Sequence, residues 1–198
     1  MAQTRDVLIS RAPARLLVVT GAIGLLAAFV LSVDKVQLLK DQIAGRKSNF
    51  GCDVSAWVTC TSVMDSAQSA AFGFPNSFIG IVGFSVVLTL GVVLLAGSPL
   101  PNWMWTGLQA GTIFGIGFVT WLQYQSIYVI GALCPYCMVV WAVMIPLFIS
   151  VTAESLRRFA GGSGVARFVS NWTVLLISLW YIAVAAAIWF TFGSRIFS

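Results

Sequence analysis

The residues with chemistry to offer are four cysteines in two pairs: Cys52 with Cys60, and Cys134 with Cys137 in the run Cys134-Pro135-Tyr136-Cys137. The chain has no histidine, which removes imidazole general-base chemistry and the commonest metal and haem ligand. Reactive chemistry therefore falls to sulfur. Pro135 suits the first position of a helix, where its missing N–H is no loss, so Cys134 is expected at or near the N-cap. There the helix dipole and the free N–H groups favour a thiolate, the form that exchanges with disulfides. The C-x-x-C spacing also lets the pair close on itself.

Spacing alone leaves several fates open for these sulfurs. A C-x-x-C in a soluble chain belongs to zinc knuckles or thioredoxin-like sites. Here no strand precedes it and an apolar helix follows, which excludes a glutaredoxin-like fold despite the identical tetrapeptide. A four-cysteine zinc site is disfavoured because the eight-residue step from Cys52 to Cys60 exceeds the usual ligand spacing. Two structural disulfides are compatible with an oxidising compartment. Inert buried cysteines would not cluster on one side of a membrane. An exchange relay between the pairs is the remaining reading.

The elements that must position these cysteines are membrane helices. The 198 residues are 59% hydrophobic and 9% charged, against about 25% charged in soluble domains. A bilayer core needs roughly 20 apolar residues per helix. Five runs qualify, at about 16–33, 77–97, 103–127, 133–151 and 172–192. The first follows Arg5, Arg11 and Arg15 like a signal peptide, but it is long and lacks a clean small-x-small site before Asp34, so a retained helix is expected. The polar stretch 34–76 is expected to be a loop carrying one surface helix over 59–72. In that helix Cys60, Val63, Met64, Ala67 and Ala71 share a face, with Ser62, Asp65, Ser66 and Ser69 largely opposite. Gly107, Gly111 and Gly115 fall on one face of the third span and suggest close helix packing. Residues 154–170 read as a linker. The expected fold is thus all-α and integral to the membrane. It is one domain over 1–198, a four-helix core at about 16–151 plus one further helix.

Charge sets the expected topology. The basic residues sit at the ends of apolar runs, not in a patch with interleaved aromatics, so nucleic-acid binding is not expected. With the amino terminus in the cytoplasm, Arg5, Arg11, Arg15, Arg157, Arg158 and Arg167 lie inside, and Lys35, Lys40, Arg46, Lys47 and Arg195 outside. The charges flanking the first and fourth spans favour this orientation. It puts both cysteine pairs on the extracytoplasmic side, and inverting the protein would still keep them together.

The run Cys52-Asp53-Val54 through Cys60, then Ser66, then Asn76-Ser77, then the C-x-x-C on the last core helix, resembles the vitamin K epoxide reductase family. The likeness covers about 16–150 and is to bacterial members without a fused thioredoxin domain. It implies a four-helix bundle around a quinone, menaquinone or ubiquinone, with no metal. It implies a protein of the cell inner membrane that reoxidises an extracytoplasmic thioredoxin-fold (DsbA-like) partner and supports disulfide formation in exported proteins. By the same resemblance Cys52 faces the partner, Cys60 shuttles to the core, Cys134 receives the shuttle as a mixed disulfide, and Cys137 lies beside the quinone. Ser66 matches the family's loop hydroxyl, and Asn76 the amide that hydrogen-bonds a quinone oxygen. Animal-type members carry a tyrosine where this chain has Trp141. An indole N–H donates but cannot accept, so quinone reduction is implied more strongly than epoxide reduction.

Two other function classes fit the same residues. One is a non-enzymatic membrane subunit with structural disulfides, which would stay oxidised when a relay would interconvert with redox buffer. The other is a carrier that sends reducing power outward, since thiol exchange is reversible.

Overall fold

The computed structural model describes residues 11–46, 48, 50–55 and 57–196; Arg5 and Lys47, used above for topology, lie outside them. The chain forms α1 (Arg11–Ile43), α2 (Cys60–Asp65), α3 (Asn76–Leu95), α4 (Asn102–Tyr124), α5 (Pro135–Ala160), α6 (Gly164–Asn171) and α7 (Thr173–Ile196). A 3-10 turn, Ala67–Ala70, follows α2, and a π-helical turn, Gln125–Ile130, extends α4. Among the described residues five helices are long and apolar enough to cross a membrane: α1, α3, α4 with its π turn, α5 and α7.

Three boundaries differ from the sequence expectation. The first span was expected to end near residue 33, but α1 runs ten residues further, to Ile43. Its 33 residues reach about 50 Å at 1.5 Å per residue, well beyond the roughly 30 Å of hydrocarbon. The extension is amphipathic: Leu38, with Leu31 about two turns before it, packs on Cys52, Cys60, Met64 and Cys134, while Lys40 sits in the last turn and Gly45 ends the run at φ 66°. The surface helix expected over 59–72 is broken at Ser66, which is extended (ψ 149°). Its hydroxyl and its N–H both turn back to the Val63 carbonyl. The linker expected over 154–170 is mostly helix, because α5 continues to Ala160 and α6 follows, N-capped by the Ser163 hydroxyl.

Close helix packing exists, but not at the glycines expected to provide it. α1 and α3 meet through Gly21, Gly24 and Gly91. A Cβ on Gly21 would lie 2.8 Å from Leu88 N, and one on Gly91 2.8 Å from Val18 N. Gly107 and Gly111 have nothing within 4 Å of a Cβ, and Gly115 meets only the flexible end of Met144. α3 and α4 scarcely touch, and a space is left between them.

The fifth spanning helix docks where α5 is interrupted. Pro146 has no N–H to give to the carbonyl four residues earlier, which is Ala142 O. The Tyr181 hydroxyl of α7 donates to that carbonyl at 2.5 Å. A backbone acceptor orphaned inside an apolar segment is thereby satisfied.

Candidate redox site

The cysteine loop is held in shape by one carboxylate. Asp53 Oδ1 accepts from the Thr59 hydroxyl (2.6 Å) and Thr61 N–H (3.1 Å), and Oδ2 accepts from the Thr61 hydroxyl (2.6 Å) and Phe50 N–H (3.5 Å). Burial acts to raise this carboxyl, but the donors outweigh it and lower the pKa to about 2. The clasp folds Cys52 back onto Cys60, and the two are joined in a disulfide.

A short parallel bridge then ties this loop to the start of α5. Thr59 N–H donates to Leu133 O (3.0 Å) and Leu133 N–H to Trp57 O (2.8 Å). Each bond comes just before a cysteine, so Cys60 and Cys134 arrive side by side. The Cys134 thiol donates to Cys60 Sγ at 3.5 Å, with no covalent bond between them, and both residues are fully buried. The chain reaches Leu133 through the π turn, closed by Gly131 at φ 68° and by Ser126, whose hydroxyl and carbonyl bind Ala132.

Cys134 is the N-cap of α5 and Pro135 its first residue, as the sequence suggested. The Cys134 thiol is held below its ordinary pKa, first by a hydrogen bond from the Cys137 thiol. The N–H groups of Tyr136 and Cys137 act in the same sense, against burial. Both thiols of this pair are free. The arrangement is an oxidised loop pair in sulfur contact with a reduced core pair.

Beneath the cysteines lies a cavity of about 600 Å³ between α3 and α4, backed by α1 and α5. Cys137 lines it, and so do Ser66, Asn76 and Trp141, brought from three elements to one wall system. Ser66 has its hydroxyl turned to Val63 O at 2.7 Å. Trp141 is buried. Asn76 is not the cap of α3, a role held by Pro75; it is the first helical residue, and its amide ties the preceding turn. Oδ1 accepts from Ala71 N–H (3.0 Å) and Nδ2 donates to Gln68 O (2.7 Å), which leaves one amide proton uncommitted.

A family model, the vitamin K epoxide reductase family, matches residues 15–152. The chain belongs to that family. No curated protein matches it. As a vitamin K epoxide reductase-family protein it is a multi-pass membrane oxidoreductase whose redox chemistry belongs to its cysteines. The matched stretch contains both cysteine pairs and every cavity residue named above, and stops short of α6 and α7. The helix docked by Tyr181 is therefore an addition to the family unit.

Four residues have roles beyond those their sequence positions suggest. Asp53 belongs to the cysteine motif, but the threonines that hold it are six and eight residues away and only the fold gathers them. Lys35 was read as a topology charge, yet it lines the cavity. Its position four residues after Leu31 and three before Leu38 is the helical signal that could have found it. Gly107 and Gly111, read as packing residues, are cavity wall.

Proposed function

We propose that this protein reoxidises an extracytoplasmic thioredoxin-fold partner and passes the electrons through its two cysteine pairs to a membrane quinone, supporting disulfide formation in exported proteins. The observation that carries this reading is the 3.5 Å contact between Cys60 Sγ and Cys134 Sγ, made above a cavity whose wall includes Cys137. A loop that a soluble partner can meet is thereby connected to a space that a lipid-soluble molecule can enter.

The steps follow from the sulfur positions. The partner's dithiol attacks the Cys52–Cys60 disulfide through Cys52, leaves as a disulfide, and frees both loop thiols. Cys52 is only 6% exposed, packed with Leu38 and Met64, so this attack requires Cys52 to move out of that packing. Cys60 thiolate then attacks the oxidised core pair at Cys134, forming a Cys60–Cys134 bond and releasing Cys137. Cys52 resolves that bond, which leaves Cys52–Cys60 oxidised and Cys134 and Cys137 reduced. The state of the sulfurs described above matches this point of the cycle.

A cavity of about 600 Å³ is in the range of small-molecule sites, which are mostly apolar with a few polar contacts, and it fits a quinone ring. A bound quinone accepts two electrons and two protons. In this reading Cys137 on the wall gives up its thiol proton as the Cys134–Cys137 bond closes, and Asn76 uses its uncommitted amide proton to hold a ring oxygen.

Removing the second core thiol tests the relay. In Cys137→Ser, Cys134 lacks its own partner and should attack the loop disulfide 3.5 Å away; serine is too weak a nucleophile to open the new bond, and alkylating the released Cys52 keeps it from doing so. Peptide mapping without reductant should find Cys60 linked to Cys134, with quinone turnover abolished. Recovery of Cys52–Cys60 alone, with Cys134 free during turnover, would mean the pairs do not communicate.

A further inference from the structure

Lys35, Ser66, Gln68, Ser69, Asn76 and Ser77 are among the polar residues that line the cavity, and hydrogen bonds join Lys35 to Ser69 and Asn76 to the Gln68 carbonyl. Lys35 alone among the described lining residues carries a charge. Its stem leaves the extended part of α1, and the residue is half-buried. The ammonium donates to the Met64 carbonyl and to the Ser69 hydroxyl, the latter at 3.3 Å. An ammonium has three donors, so one remains for the cavity. Among the described residues Lys35 enters no ion pair. The Asp65 carboxylate accepts from Gln42 at 2.6 Å.

A support for the end of α2 does not require a charge in this place. The Ser69 hydroxyl already donates to the same Met64 carbonyl at 2.6 Å, so the carbonyl is satisfied without Lys35. A cation beside an apolar space is costly unless it is used, and its open donor points to a ligand with an acceptor that gains negative charge.

We propose that the Lys35 ammonium holds a carbonyl oxygen of the quinone ring and stabilises the negative charge that develops there during reduction. This rests on the quinone reading above. In the reaction the Cys134 and Cys137 thiols lose two electrons and two protons and one S–S bond forms, while two O–H bonds form on the quinone. Lys35 donates a hydrogen bond throughout and is unchanged at the end. A donor placed where charge appears favours the reduced form over the oxidised one.

The test separates the two half-reactions in the purified full chain. Protein reduced with dithiothreitol is mixed with a short-chain ubiquinone analogue, and quinone absorbance is followed. Lys35→Met should lower kcat/KM for the analogue roughly ten- to a hundredfold, the range for a hydrogen bond to a charged group. The rate at which dithiothreitol reduces Cys52–Cys60 in the same variant should stay within about twofold. Lys35→Arg, which keeps charge and donors, should retain more quinone affinity than Lys35→Met. An unchanged kcat/KM overturns the proposal. So do equal losses in both half-reactions, which mark a support for the loop, and equal losses in the Arg and Met variants. A wild-type protein whose thiols exchange with dithiothreitol but never reduce the analogue overturns the quinone reading, and this assignment with it.

Discussion

A single carboxylate beside the first cysteine decides where that cysteine's partner sits. Asp53 takes donors from both sides of the disulfide loop, and its pKa of about 2 records how strongly they favour the ionised form. The folded value lies below the ordinary 3.8, so the clasp contributes stability that is complete above about pH 4 and is lost as pH falls through about 2. The melting temperature of the wild type should therefore fall between these limits. Asp53→Asn should be destabilised at pH 7 by about 1 kcal/mol, hydrogen bonds to a charge discounted for solvent exposure, and should lose the dependence in that window. A wild-type melting temperature flat from pH 5 to pH 2 would remove the clasp from the account. The types and spacing of the cysteines were legible in the sequence, and so was the place of Cys134 at a helix start. The donors around Asp53 were not, because nothing local pairs an aspartate with Thr59 and Thr61.

Helix contacts divide the glycines into two kinds that one spacing rule could not separate. Gly91 lies against Leu17 and Val18 of α1, with a Cβ placed 2.8 Å from Val18 N. Gly111 faces the cavity with nothing within 4 Å. Overpacking costs about 1–3 kcal/mol, so Gly91→Ala should lower the melting temperature in detergent. Gly111→Ala should leave it within about 0.5 kcal/mol of wild type. The reverse ranking would mean the α1–α3 interface and the cavity wall are misassigned. Four-residue glycine spacing places residues on one face of a helix; whether a helix or a space lies opposite is a property of the partner. The same limit explains α1. Its polar residues from Asp34 onward suggested a loop, because the apolar surface that Leu31 and Leu38 bury belongs to cysteines far along the chain.

At the scale of the whole molecule, one long helix and one two-bond bridge collect a polar cap over one end of a membrane bundle. The cap holds both cysteine pairs, so they must share a side of the membrane whichever way the bundle is inserted. We propose from the charges flanking the first and fourth spans that this side faces away from the cytoplasm. After reduction, a membrane-impermeant maleimide should label Cys52 in intact spheroplasts, and slowly, because the residue is 6% exposed. Labelling that needs permeabilisation would invert the orientation. Orientation is legible in principle from local charge, since insertion responds to the basic residues near each span.

The sequence by itself determined the class of the molecule and the identity of its chemistry. Apolar runs of bilayer length leave the backbone no alternative to helix, and a chain with four cysteines and no histidine leaves sulfur as the reactive group. The helix start at Cys134-Pro135 was fixed just as locally. Tertiary structure alone decided that Cys60 stands 3.5 Å from Cys134, that α3 and α4 part to leave a cavity, and that Lys35 lines it. It also decided that Tyr181 answers the carbonyl freed by Pro146. Each of these joins residues far apart in the chain, or depends on the absence of a contact. Residue type and periodicity prescribe which face a side chain occupies, and only the packed bundle prescribes what that face meets.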